Sequence, residues 1–131
     1  LLKSWLSCSP NRLPRQGKVA LVYGKGNGEY LMEAGKNLER YGLVVKSLDF
    51  GEVPGFETLK QEEALSLIRK GQVDLVVTNG YMKSLDYSIR RTAVDLNIPI
   101  ILNGRLGKEV SQAMLLNEMT FYEMRRYGGG I

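Results

Sequence analysis

The sequence predicts an α/β fold of three layers, α/β/α, around a mostly parallel sheet. Three observations predict it. Val19-Ala-Leu-Val-Tyr23 is an unbroken apolar run, the signature of a strand buried on both faces. Strand candidates alternate along the chain with segments of helical spacing, and the connections between them are short. The 131 residues, 44% hydrophobic and 24% charged, suffice for one domain with a real core and exclude disorder.

Leu1 to Ser7 has Leu2, Trp5 and Leu6 on one side and reads as the end of a helix. Pro10, Asn11, Pro14 and Gly17 then break it. Residues 1–17 are therefore read as the end of a preceding domain and a linker, and residues 18–131 as the domain itself. After the first strand, Gly24-Lys-Gly-Asn-Gly28 is a turn. A helix is expected over Glu29–Tyr41, with Leu31, Ala34, Gly35 and Leu38 at helical spacing and Gly42 as its stop. Leu43–Phe50 is a second strand candidate, and Gly51–Phe56 a loop with Pro54 and Gly55. Thr58 is the expected cap of a helix over Leu59–Lys70, with Glu62 and Glu63 in its first turns and Gly71 closing it.

Val73–Thr78 is the third strand. The polar stretch Asn79–Tyr87 leads to a helix over Ile89–Leu96 with Ser88 as its cap, and Pro99–Leu102 is the fourth strand. A last helix runs from about Leu106 to Arg126, with Asn117 the candidate break, and residues 128–131 form a tail. No internal repeat is visible.

Composition narrows the chemistry. The formal charge of +4 is unevenly placed: residues 1–41 carry seven basic and three acidic residues, the remainder eleven of each. With no aromatic-interleaved basic stripe this gives little support for a nucleic-acid partner. A single cysteine, Cys8, excludes an internal disulfide and fits a reducing compartment, cytoplasm or mitochondrial matrix. Without histidine, a conventional zinc site and Ser-His-Asp or Cys-His catalysis are unavailable. No apolar run nears the roughly 20 residues that span a bilayer, so no membrane partner is expected. The absence of an initial Met suggests a piece of a longer chain.

Ligands of such sheets bind outside the carboxyl ends of the strands. The candidate binding segments are thus Tyr23–Gly28, the region of Phe50, Thr78-Asn79-Gly80 and Asn103-Gly104-Arg105. Gly24, Gly26 and Gly28 would let backbone amides approach an anion at a helix start. Their G-x-G-x-G spacing is neither a dinucleotide fingerprint nor a Walker motif, and Glu29 opposes an anion there. A tight turn and a phosphate contact from Lys25 both remain open. Arg90-Arg91 stands against a helix dipole, offset either by a ligand or by ion pairs to Asp86 or Asp95. Glu62-Glu63 reads as dipole compensation rather than an acid–base pair. Met114, Tyr122, Met124 and Tyr127 read as packing residues.

Val73-Asp-Leu-Val-Val-Thr78, Ser88-Ile-Arg-Arg-Thr-Ala-Val-Asp95 and Asn97-Ile-Pro-Ile-Ile-Leu-Asn103 together resemble the methylglyoxal-synthase-like domain at the C-terminus of carbamoyl-phosphate synthase large chains. Ile89–Asp95 looks most like the ammonia-using eukaryotic type. Leu1–Leu6 and Pro14-Arg-Gln-Gly17 are similar to the exit from the preceding synthetase domain. The resemblance implies an allosteric module without catalysis or a cofactor of its own, a fragment of an ATP-dependent ligase. It implies two partners: the preceding synthetase domains and a small effector. The effector would be a nucleotide such as UMP, UTP or IMP, phosphoribosyl pyrophosphate, or an amino-acid-like molecule. The pathway, arginine and urea or pyrimidine, stays open. The effector positions it implies are Arg69 before the third strand, Thr78 and Asn79 at that strand's end, and Asn103 in the matching turn. Lys25 joins them: it lies in the corresponding loop, although the family's own lysine falls at about Gly28. The resemblance implies no metal.

The chain departs from the family after its second strand. Leu48-Asp-Phe-Gly51 stands where a threonine-bearing phosphate loop is expected. About 25 residues separate Leu48 from Val73, too few for the family's additional helix–strand unit. Asp49 would repel a phosphate: two unit charges at 4 Å cost about 4 kcal/mol at an effective dielectric near 20. An interaction module that has lost its effector is therefore a rival to the regulatory reading. Methylglyoxal synthase itself is the third alternative, disfavoured because about Gln61 stands where its catalytic Asp belongs.

Overall fold

A computed structural model describes residues 14–25, 28–79 and 84–126, the side chains as far as Leu116. The expected helix at Leu1–Ser7, residues 26–27 of the expected glycine turn, residues 80–83 of the polar stretch and the tail lie outside the described residues. Among the described residues the elements are β1 (Val19–Tyr23), α1 (Glu29–Tyr41), β2 (Val44–Leu48), β3 (Glu57–Leu59), α2 (Gln61–Arg69), β4 (Val73–Thr78), α3 (Tyr87–Asp95), β5 (Ile100–Ile101) and α4 (Gly104–Arg126). No helix among them is long and apolar enough to cross a membrane.

The strands form one sheet in the order β3-β2-β1-β4-β5, and every neighbouring pair is parallel. The predicted three-layer α/β/α class is the observed one. On one face Ala20, Val22, Val45, Leu75 and Val77 pack with Leu31 and Leu38 of α1 and Val110 and Met114 of α4. On the other, Leu21, Tyr23, Leu48 and Val76 pack with Ala64 and Ile68 of α2 and Ile89 and Ala93 of α3. Burying both faces explains why β1 reads as an unbroken apolar run.

Helix ends follow the expected chemistry where glycine is present. Gly42 takes a left-handed φ of 116° and its N–H reaches the carbonyls of Leu38 and Glu39. Gly71, φ 75°, closes the turn after α2 in the same way. α4 begins at Gly104, two residues earlier than predicted, and runs unbroken past Asn117.

The fifth strand was not expected. Thr58 does not cap a helix: it lies within β3, and its hydroxyl donates to Glu52 Oε2 at 2.9 Å. α2 starts later, with Glu63 Oε1 accepting the Lys60 N–H at 2.9 Å. The helix–strand unit that the spacing left no room for is thus only half missing. Residues 49–56 cross from β2 to β3 without a helix, and the loop is fastened instead. Ser47 Oγ accepts the Val53 N–H at 2.8 Å, Val53 is buried, and Phe56 lies so close over α1 that a Cβ on Gly35 would sit 2.5 Å from its ring.

One irregularity interrupts the ladder. Val19 pairs with Val73, but Ala20 pairs with Leu75, so Asp74 is an extra residue in β4. Side chains alternate along a regular strand. Here the bulge turns Val73 to the face of Val76, opposite Leu75 and Val77.

Candidate ligand-binding crevice

The chain leaves β1 for β2 on one side and later returns to place β4 on the other. The sheet's switch point therefore lies between β1 and β4, and the carboxyl ends of the strands there are where ligands of such sheets bind. Tyr23 pairs with Thr78, so Gly24-Lys25 and Asn79 meet just beyond the ladder. Asn79 Oδ1 accepts the Lys25 N–H at 3.4 Å, and Asn79 Nδ2 donates to the Lys25 carbonyl. This contact needs a glycine beside it. A Cβ on Gly24 would fall 2.5 Å from Asn79 Oδ1 and 2.7 Å from Leu31 Cδ1. The Lys25 side chain is exposed at the crevice.

Asn103 follows β5, and carrying the register of Val77 and Ile101 forward two residues sets it level with Asn79. Its Oδ1 accepts the Leu106 N–H at 2.9 Å, capping α4. Lys25, Asn79 and Asn103 therefore share the carboxyl edge. Thr78 lies at the same end but is fully buried, so its side chain offers nothing to a ligand in this conformation.

Arg69 does not join them. It ends α2, which feeds into the start of β4, and so lies at the amino edge of the sheet. There it lines a cleft of about 230 Å³ with Arg15, Asp74, Asn97 and Pro99. It precedes the third predicted strand, and the carboxyl edge is reached only at that strand's far end.

A cation that sequence reasoning passed over does lie at the carboxyl edge. Lys60 follows β3 and is exposed at the carboxyl edge. The Asp49 N–H donates to the Leu59 carbonyl at 3.0 Å, so Asp49 lies beside Lys60 in the row of strand tips. By strand order Asp49 falls between Lys25 and Lys60, and the local charge is not the lone anion that the sequence suggested. The signal lay in Pro54-Gly55 followed by Glu57-Thr58-Leu59, a turn and a short strand that the helical pattern after it obscured.

Below the crevice lies a buried polar cluster. The Tyr23 hydroxyl donates to Asp86 Oδ2 at 2.7 Å, and Arg90 Nε donates to Asp86 Oδ1 at 3.0 Å. Asp86 is 2% exposed, and the Phe50 ring meets Tyr23 edge-on at 5.8 Å. Burial first, and then the hydrogen bond to Asp86, push the Tyr23 phenol above its ordinary pKa. Arg91 pairs with Asp95 at 3.5 Å. Of the two alternatives for Arg90-Arg91, the structure displays the ion pairs.

Among known proteins, the chain is 54% identical over its whole length to part of the "carbamoyl phosphate synthase large chain" of Sulfolobus acidocaldarius. It is 53% identical to part of the large chain of Saccharolobus solfataricus and 51% identical to part of that of Sulfurisphaera tokodaii. It spans about 13%, 13% and 12% of the lengths of these proteins. No family model matches the chain.

Proposed function

We propose that this chain is a regulatory domain of a carbamoyl-phosphate synthase large chain. It performs no catalysis itself, binds a small anionic effector at the carboxyl edge, and modulates ATP-dependent carbamoyl phosphate synthesis elsewhere in the longer protein. The observation that carries the reading is the meeting of Lys25 and Asn79 across the switch point, with Asn103 level beside them and Lys60 further along the same edge. Identity of more than half over the whole length supports the assignment to the large chain. The narrower likeness to the ammonia-using eukaryotic type rests on Ile89–Asp95 and forms no part of the proposal.

Such a module acts by binding its effector differently in two states of the host enzyme. Lys25 supplies charge, while the amides of Asn79 and Asn103 supply directional hydrogen bonds. The test is a thermal-shift and calorimetric panel of UMP, UTP, IMP, phosphoribosyl pyrophosphate, ornithine and N-acetylglutamate. A binder at 100 times its dissociation constant stabilises the fold by about 2.7 kcal/mol. Silence across the panel rejects effector binding.

The second reading is an interaction module of the same enzyme that has lost its effector. The burial of Thr78 and the exposed carboxylate of Asp49 at the carboxyl edge favour it. A silent panel together with self-association, or association with the remainder of the large chain, would establish it.

A further inference from the structure

The two strands that flank the switch point are tied together at both ends. At the carboxyl end the tie is Asn79 to Lys25. At the amino end it is Asp74 to Arg15, on the run that leads into β1. Asp74 Oδ2 accepts the Arg15 backbone N–H at 2.8 Å and Arg15 Nε at 2.9 Å, and Asp74 Oδ1 accepts Arg15 Nη2 at 2.9 Å. Asp74 is 3% exposed, and that hydrogen bond and charge, in this order of weight, raise the Arg15 pKa. It is also the bulged residue of β4, and bulges re-aim side chains. Without the extra residue, alternation would not bring this carboxylate to Arg15.

Between the two ties all six residues of β4 are buried, and the strand is paired on one side with β1 and on the other with β5. From Asp74 to Asn79 it spans about 16 Å at 3.3 Å per residue. The run before β1 is fastened as well: Gly17 N–H donates to the Gly42 carbonyl at 2.7 Å, and Gln16 Nε2 to the Tyr41 carbonyl at 2.9 Å.

We infer that β1 and β4 form a closed frame through which Arg15 and Asp74 act as positioning residues for the crevice: a change in the Lys25–Asn79 tie at one end is transmitted along β4 to the Arg15–Asp74 tie at the other. A ligand that competes for the Asn79 amide loosens the frame at the crevice. Arg15, on the stretch of chain that leads into the domain, registers the change. The ligand-dependent part of this inference rests on the regulatory reading above; the mechanical link between the ties does not.

The experiment follows the Arg15 Nε–Hε signal of the ¹⁵N-labelled chain, assigned with Arg15→Lys, and measures its exchange with solvent. In the absence of any ligand, Asn79→Ala should speed that exchange about fivefold or more, the lower end of typical coupling factors, while Thr58→Ala on the outer strand leaves it alone. Asn79→Asp, which keeps the acceptor for the Lys25 N–H but turns a carboxylate oxygen to the Lys25 carbonyl in place of the donor, should also speed the exchange; it serves should Asn79→Ala fail to fold. Unchanged Arg15 exchange in a folded Asn79 variant overturns the frame. Any binder from the panel above should also change Arg15 exchange in the unaltered chain. A ligand that binds by calorimetry yet leaves Arg15 unaffected overturns transmission from the crevice. If nothing in the panel binds, the regulatory reading fails, and the ligand-free comparison still decides the frame.

Discussion

The side chain of Asn79 grips the backbone of Lys25 from both sides, accepting its N–H at 3.4 Å and donating to its carbonyl, and the space it fills is the space where a side chain on Gly24 would stand. Gly24→Ala should therefore lower stability by about 1–3 kcal/mol, the usual cost of overpacking. Thermal or urea unfolding would measure it. Part of the loss should return when Asn79→Ala is added, and part should persist because Leu31 Cδ1 also lies only 2.7 Å from the new Cβ. A Gly24→Ala chain as stable as the parent would contradict this packing.

The two edges of the sheet make opposite predictions for two cations. Lys25→Ala should weaken a phosphate-bearing ligand about tenfold or more, the worth of one hydrogen bond to a charged group, with little change in melting temperature. Arg69→Ala should leave the affinity unchanged, because Arg69 lies at the amino edge beside Val73 rather than beside Thr78. Isothermal titration of both variants distinguishes the edges.

The Tyr23–Asp86 hydrogen bond gives the fold an alkaline limit. The folded state raises the Tyr23 pKa above its ordinary 10.0, so above that pH the unfolded chain releases the phenolic proton while the folded chain retains it. Stability from this group is complete below about pH 10 and declines as pH rises further. Tyr23→Phe should remove that contribution to the alkaline decline. It should also cost about 1–3 kcal/mol at neutral pH by taking one partner from buried Asp86. Urea midpoints from pH 7 to 11 would test both statements.

At the amino edge, removing either member of the Arg15–Asp74 pair has unequal consequences. Arg15→Ala leaves a buried carboxylate without its guanidinium, at a cost of about 1–3 kcal/mol. Asp74→Ala leaves Arg15, whose side chain is 53% exposed, to water, so its cost comes from the bulge and the backbone N–H instead. The double variant should be less destabilised than the sum of the two, which a double-mutant cycle in urea would show.

α4 approaches β4 through Gly107, where a Cβ would stand 2.6 Å from Val77 Cγ1. Gly107→Ala is expected to cost about 1–3 kcal/mol, and Val77→Ala in the same chain to restore part of it by making room. Unfolding midpoints of the single and double variants are the measurement.

Element by element, the sequence was most legible where one physical signal acted alone. β1 and β4 stand out because both their faces are buried, and α1 and α2 end where Gly42 and Gly71 permit a left-handed turn. β3 escaped because three residues are too few to show a period, and the helical pattern beginning at Gln61 extended backwards to Leu59 with Thr58 as its cap. In the candidate site, the shared edge of Lys25, Asn79 and Asn103 was legible because each comes within two residues of a strand's end. Lys60 could not, because its strand was missed. That Arg69 lies at the amino edge was not legible, because a match along the chain says nothing about which end of a parallel sheet a residue reaches.

What the chain alone determined is its class: alternating apolar runs and amphipathic segments must bury their faces, and a parallel three-layer sheet is the arrangement that lets all of them do so. What only the tertiary structure decided are the partnerships across the sheet. Asn79 meets Lys25 and Asp74 meets Arg15 over sequence separations of 54 and 59 residues. The second meeting depends on a one-residue bulge in β4. Strand order and register arise when the whole sheet closes, and no local preference of those residues encodes them.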